Sequence, residues 1–349
     1  MSSDTIAKTI AGIKSPDDTE LAARVCVRLA SLTKPPGSLG KLEDFALRYC
    51  LIRGTAIPPL ARKSMFVFCA DHGVTEEGVS PYPAEVTRQM VQNFVAGGAA
   101  ITVLCRQFGI QPTIVDIGVR GDTGAGVVAE KIAGGTKNFA QEPAMTRTEA
   151  ERTVETGIRL AAGAEIFDVL GAGEMGIGNS TAAAALLSAF TGLDPSETAG
   201  RGTGLDGSGL ARKAEVIRRA LALHRPDASD PIGVLSAVGG FEIGAIAGFI
   251  LGAAASRRPV VLDGFISCSA ALIARALAPE TLHYLFFSHR SAERGHRLML
   301  DALGAAPMFD LEMRLGEGTG AALGIGVLEA AVKLYREMAT FKEAGVSGR

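Results

Sequence analysis

The chain has 349 residues and a formal net charge of -2, which allows one large domain or two modest ones with a sizeable core and offers no excess of charge to a nucleic acid or an anionic membrane. Five scattered cysteines (Cys26, Cys50, Cys69, Cys105, Cys268), an odd total with no C-x-x-C pair, argue against a disulfide framework and a cysteine-rich metal site, and for a reducing, cytoplasmic setting. The segment from Met1 to Asp18 lacks the apolar core of a signal peptide. The one membrane-like stretch, Val234 to Ala255, carries Glu242 and many small residues, so it reads as a helix buried against a sheet.

Up to about residue 60 the pattern is helical, with Leu21, Val25, Leu29 and Leu32 on one face and Leu42, Phe45, Ala46 and Tyr49 on another. Between them, Thr33 to Glu43 is rich in proline and glycine and reads as an ordered loop or a linker. From Ser64 short apolar strands alternate with helices. Strands are expected at Met65 to Ala70, Thr113 to Ile117, Ile166 to Leu170, Val260 to Leu262 and Tyr284 to Phe287. Each is followed by polar or glycine residues and then a helical pattern, the signature of βαβ units in a parallel sheet. After about residue 290 the pattern is helical again, and the two helical ends are expected to pack together as a smaller domain. Ligands of such sheets bind beyond the carboxyl ends of the strands, where the polar motifs of this chain fall.

The first of these motifs runs from Cys69 to Met90. Ser80, Tyr82 and Gln89 can line a slot for a flat ligand, with Met90 as an adaptable apolar wall. Asp71 and His72 read as a strand-end hydrogen-bonding pair. The five histidines (His72, His224, His283, His289, His296) show none of the short spacings of a zinc helix or finger, so no metal site is expected.

In D-V-L-G-A-G-E-M-G-I-G-N-S-T, Asp168 to Thr181, the residues Gly171, Gly173 and Gly176 fit G-x-G-x-x-G between a strand and a helix. An NAD(P)-binding oxidoreductase is therefore one reading. The second strand with an acidic end, which would hold a ribose, is missing; a long loop stands in its place. What remains is a phosphate cradle of glycine N–H groups with Asn179, Ser180 and Thr181 at a helix N-terminus. Glu174 would repel a phosphate there and suits a ring or a sugar better. A second such motif, Gly202 to Gly207, lacks a preceding strand; Lys213, just beyond it, is either a cation for the phosphate or a solvated helix residue. Asp263 stands alone after its strand, so the paired acids of a magnesium-pyrophosphate site are absent.

The last motif, L-G-E-G-T-G-A-A-L from Leu315 to Leu323, holds Glu317 between glycines just before a helix expected over Ala321 to Glu337. A carboxylate on such a loop can serve as a base, or it can simply cap the helix.

Taken together, T-K-P-P-G-S-L-G, A-D-H-G-V, G-E-M-G-I-G-N-S-T, G-R-G-T-G-L-D, G-G-F-E-I-G-A-I-A-G, V-L-D-G-F and R-L-G-E-G-T-G-A-A-L, in this order from about Thr33 to Leu328, resemble the nicotinate-nucleotide:dimethylbenzimidazole phosphoribosyltransferase family. The resemblance implies an α/β fold with a Rossmann-like parallel sheet flanked by helices (residues 61–300). A smaller helical domain would form from residues 1–60 and 301–349, with the catalytic loop at 315–320. It implies transfer of the 5-phosphoribosyl group from nicotinate mononucleotide to 5,6-dimethylbenzimidazole, a step in cobalamin synthesis, by a homodimer needing no cofactor. By the same resemblance Glu317 is the catalytic base, and Ser80, Tyr82 and Gln89 hold the benzimidazole. Gly176, Gly178, Asn179 and Ser180, with Gly202, Thr203 and Lys213, bind the phosphate, and Glu174 lies near nicotinate and ribose.

Overall fold

The computed structural model describes residues 2–202 and 204–347. Three helices open the chain: α1 (Ser2–Gly12), α2 (Thr19–Ser31) and α3 (Lys41–Arg53). The loop between α2 and α3 is ordered, since Lys34 Nζ meets Glu43 Oε1 at 2.8 Å and the same oxygen accepts from Leu39 N–H at 3.1 Å. Strand β1 (Lys63–Ala70) follows, then α4 (Glu85–Ala96), α5 (Ala100–Phe108), β2 (Ile110–Gly118) and a two-residue β3 (Val128–Ala129). Next come α6 (Arg147–Ala162), β4 (Val169–Met175), α7 (Asn179–Thr191), α8 (Pro195–Thr198), α9 (Gly207–His224), α10 (Pro231–Val238) and α11 (Phe241–Ala255). The chain continues through β5 (Val260–Leu262), α12 (Phe265–Leu277), β6 (Leu285–Phe287), α13 (Arg294–Leu303), α14 (Thr319–Glu337) and α15 (Phe341–Ala344).

All six strands are parallel and lie in the order β3-β2-β1-β4-β5-β6. This is the Rossmann order, and it reverses direction between β1 and β4, which opens a crevice at their carboxyl ends. Alternation along β1 sends Met65 toward Ile325 of α14 and Phe66 toward Phe249 of α11, whose ring lies 4.7 Å away. α11 and α12 therefore cover one face of the sheet, and α5 and α14 the other.

The stretch expected as a buried helix is α10 and α11 joined through Gly239 and Gly240. α11 is buried from Phe241 to Ala254 and packs closely on α6. Its Glu242 meets His72 Nε2 at 2.7 Å, so the charge of this apolar helix has a partner at the end of β1. No helix among the described residues is long and apolar enough to cross a membrane.

Apolar residues of α2, α3 and α14 (Leu21, Val25, Leu29, Leu32, Ala46, Cys50 and Tyr335) form a second, smaller cluster beside the main core. α14 spans both clusters: Ile325 and Leu328 lie in the main core while Tyr335 closes the small one.

The two-residue β3 was not among the expected strands, and one expected strand lies elsewhere. The segment expected at Ile166 to Leu170 pairs instead over Val169–Met175, so Gly171 and Gly173 are strand residues and not a phosphate-binding turn. The reason is tertiary. A Cβ on Gly173 would come within 2.4 Å of Gly318 N and Cα, so glycine here lets another loop lie directly on the strand. The dinucleotide reading of this motif is corrected accordingly.

Candidate active site

The loop that lies on Gly173 carries Glu317. Gly316, Glu317 and Gly318 have φ of 84°, 64° and 92°, three consecutive left-handed residues of which only the middle one has a side chain to strain. The helix that follows is held by Asp263, at the end of β5. Its carboxylate accepts from Gly318 N–H (3.0 Å), Gly320 N–H (2.7 Å) and Ala321 N–H (3.2 Å). Asp263 is thus the acid that fills the capping role at the start of α14, which leaves the Glu317 side chain for other work.

Glu317 lines a cleft of about 700 Å³ at the carboxyl ends of the strands, a size usual for small-molecule sites. Burial, with the Asp263 charge, raises the Glu317 carboxyl from 4.5 to about 7. Glu174, near the end of β4, faces the same cleft and accepts a hydrogen bond from Asn179 Nδ2. Burial raises it to about 8, helped by the charges of Asp263 and Glu242 and opposed by the Asn179 bond. Both carboxyls therefore hold a proton far closer to neutrality than an ordinary carboxyl does.

Next to Glu174, Gly178 caps α7 with a φ of 97°, turning the backbone so that Asn179 and Ser180 open the helix. Lys213 of α9 is fully buried; its Nζ donates to Ser180 Oγ at 2.9 Å and to Gly200 O at 3.3 Å. It is not a solvated helix residue. Burial lowers its ammonium to about 8, although the Glu293 charge works the other way. A helix N-terminus backed by a buried ammonium favours an anion. Val79, Val86, Met90 and Ile266 give the cleft apolar walls.

Of the residues expected at the site, Ser80, Tyr82, Glu174, Gly176, Gly178, Asn179, Ser180, Gly202 and Glu317 line this one cleft. Lys213 stands one side chain behind it, through Ser180. Gln89 lies on the exposed side of α4, outside the cleft lining that Val86 and Met90 of the same helix contribute. Thr203 lies outside the described residues. Asp71 and His72 both serve the strand end: Asp71 accepts from Arg120 N–H at 2.7 Å, and His72 pairs with Glu242. The sequence did not single out Glu293 or Arg314, which also line the cleft. Arg314 donates to Gly202 O at 3.3 Å, linking the Glu317 loop to the anion end. Its place in R-L-G-E-G was the available signal; Glu293 had none.

A family model described as phosphoribosyltransferase matches residues 13–346. The nicotinate-nucleotide--dimethylbenzimidazole phosphoribosyltransferase of Geobacter sulfurreducens is 54% identical over 336 residues, 95% of this chain and 96% of that protein. The protein of the same name from Geobacter metallireducens is 52% identical over 345 residues, 98% of each. Among solved structures, CobT from Thermus thermophilus superposes with a TM-score of 0.90 at 47% identity, covering 95% of this chain and 100% of its own. With near full-length similarity in sequence and in fold, the chain belongs to the nicotinate-nucleotide–dimethylbenzimidazole phosphoribosyltransferase family.

Proposed function

We propose that this chain transfers the 5-phosphoribosyl group of nicotinate mononucleotide to 5,6-dimethylbenzimidazole, releasing nicotinate and forming α-ribazole 5′-phosphate for the lower ligand of cobalamin. One observation carries the reading at the level of chemistry: a carboxyl poised near neutrality, Glu317, shares an apolar cleft with an anion-favouring helix end backed by Lys213.

In this reading the 5′-phosphate lies at the start of α7, against Gly176, Gly178 and Ser180, with Gly202 beside them and Lys213 behind Ser180. The flat heterocycle lies between Ser80, Tyr82 and the apolar wall that Val86 and Met90 of α4 provide. One benzimidazole nitrogen attacks the anomeric carbon as the bond from that carbon to the pyridinium nitrogen breaks. The bonding pair returns to the nicotinate ring, which leaves neutral at that nitrogen. The proton on the second benzimidazole nitrogen passes to Glu317, and such a base contributes roughly 10²–10⁴-fold. The carboxylates beside the sugar favour the cationic character that develops there. Attack from the face opposite the leaving group converts a β-nucleotide into an α one.

The reading extends to a homodimer, supported by Tyr82 and Leu315, which stand 51% and 58% exposed at the cleft. A reducing, cytoplasmic setting is supported by five free thiols. A small helical domain, residues 1–60 and 301–349, set against residues 61–300 is supported by the second apolar cluster. The test is nicotinate release from the mononucleotide, followed with and without dimethylbenzimidazole. Release that requires the benzimidazole is expected; its absence would overturn the proposal.

A further inference from the structure

The loop that carries Glu317 is held unequally on its two sides. On the C-terminal side the Asp263 carboxylate takes the N–H groups of Gly318, Gly320 and Ala321, and Gly318 lies on Gly173. On the N-terminal side Met313 O accepts from Ala292 N–H at 2.9 Å, and the next hold is a side chain: Arg314 Nη1 donates to Gly202 O at 3.3 Å. Leu315 is 58% exposed, and Arg314 is exposed as well. Glu317 keeps a φ of 64°, a conformation that lasts only where both flanks fix it. A single long hydrogen bond from an exposed guanidinium is a weak flank.

Where Arg314 reaches decides what can strengthen it. Gly202 lies against the start of α7: an added Cβ there would sit 2.9 Å from Ser180 Oγ and 3.5 Å from Lys213 Nζ. The guanidinium therefore stands at the rim of the place that favours an anion, lining the cleft with Ser180 and Gly202. Lys213 supports that place from behind, through Ser180; among the described residues Arg314 is the one cation on the cleft wall itself. One N–H of its fork goes to Gly202 O, and the others remain for an anion, in the paired geometry that suits guanidinium and phosphate. An anion held there would meet α7 on one side and the Glu317 loop on the other.

We propose that the donor's phosphate completes the hold on Glu317: bound at the start of α7, it pairs with Arg314 and fixes the N-terminal side of the loop. The phosphate then raises the rate of transfer as well as the affinity for the donor. Arg314 is a positioning residue in this account, acting through the loop it belongs to, and the proposal rests on the reading of the cleft as a mononucleotide site. Binding energy from a part of the donor that does not react is thereby used at the reacting centre.

The test measures kcat and KM for nicotinate mononucleotide and for nicotinate riboside, which lacks the phosphate, in wild type, Arg314→Lys and Arg314→Met. The readout is nicotinate release in the presence of dimethylbenzimidazole. Wild type should show a kcat roughly 10–100-fold higher with the mononucleotide, and phosphite dianion added to the riboside should restore part of the difference. Arg314→Met should bring the ratio of the two kcat values close to one and abolish the activation by phosphite, with Arg314→Lys between. Equal kcat values in wild type, or an Arg314→Met variant that raises KM for the mononucleotide while keeping its kcat, would make the phosphate a handle for binding only and overturn the proposal. So would a variant that slows both donors by the same factor, the mark of a loop held without help from the anion. Should riboside release lie below detection, the split between kcat and KM for the mononucleotide in Arg314→Met decides by the same criterion. A wild type that releases no nicotinate from the mononucleotide would instead sink the reading of the cleft. Thermal denaturation identifies the folded variants, and Arg314→Lys decides the matter should Arg314→Met not fold.

Discussion

Replacing Glu317 by glutamine removes the ionisable group and keeps the shape of the side chain, so two quantities that a merely structural carboxylate would not link should change together. The first is turnover. With no acceptor for the benzimidazole proton, kcat should fall by roughly 10²–10⁴-fold. The second is stability against pH. The Glu317 carboxyl is raised from 4.5 to about 7 in the folded chain, so its contribution to stability is fully present below the unfolded value and is lost as pH rises through the folded one. At about 1.4 kcal/mol per pH unit this loss amounts to about 3 kcal/mol, and the side chain's opening onto the cleft brings it to about 2 kcal/mol. Glutamine does not titrate. The variant should therefore gain about 2 kcal/mol relative to wild type between pH 5 and pH 8, measured by urea denaturation at the two values. A variant that loses stability relative to wild type as pH rises would mean that Glu317 is held as a stabilised anion. A kcat within about tenfold of wild type would remove it from the base role.

Lys213→Ala should raise KM for the mononucleotide by roughly 10–100-fold and KM for the benzimidazole far less, as expected for a lost charged contact; an equal rise in both would argue against a phosphate role. Gly173→Ala puts a methyl group 2.4 Å from Gly318 Cα, where only backbone can give way, so it should lower both kcat and Tm; unchanged kinetics would show that the Glu317 loop does not need this contact. Asp263→Asn removes a charge that raises Glu317, so the acid limb of the kcat profile, expected near pH 7 in wild type, should move to lower pH; a limb that stays in place would assign it to another group.

What could be read from the sequence was set by how local each signal was. Val260 to Leu262 is a short apolar run between turn residues, and it folds as the strand it resembles. Glu317 was visible because an acid set alone among glycines, on a loop before a helix, shows its unusual setting within a few residues of itself. Gly171 and Gly173 were open to misreading for the opposite reason. Their spacing matches a phosphate-binding turn, but what demands glycine is a loop from far along the chain lying on the strand, and a local window holds no trace of it. Lys213 shows the same limit on a helix: α9 buries it beneath Ser180, and which face of α9 turns inward depends on α7 and α8. Gln89 and Met90 are neighbours in sequence, yet one helical step takes Gln89 into solvent while Met90 lines the cleft.

The cleft brings groups of both signs together, and that bears on which nucleotide it suits. The start of α7, backed by the Lys213 ammonium, shares it with the carboxyls of Glu174 and Glu317. A nucleotide with an ordinary neutral base would meet only half of this field. Nicotinate mononucleotide carries an anionic phosphate, a cationic pyridinium nitrogen at the sugar and a carboxylate farther out on the ring, so its phosphate can meet the start of α7 while the cationic nitrogen faces the acids. That orientation places the anomeric carbon beside the acids, where positive charge grows as the old bond lengthens. Once the old bond is broken, the pyridinium charge is gone from the leaving nicotinate, and the proton set free by the benzimidazole settles on Glu317. The acids are then less negative just as the cation they faced has disappeared, so the product should be held less firmly than the donor, and release follows from the same groups that drive the transfer.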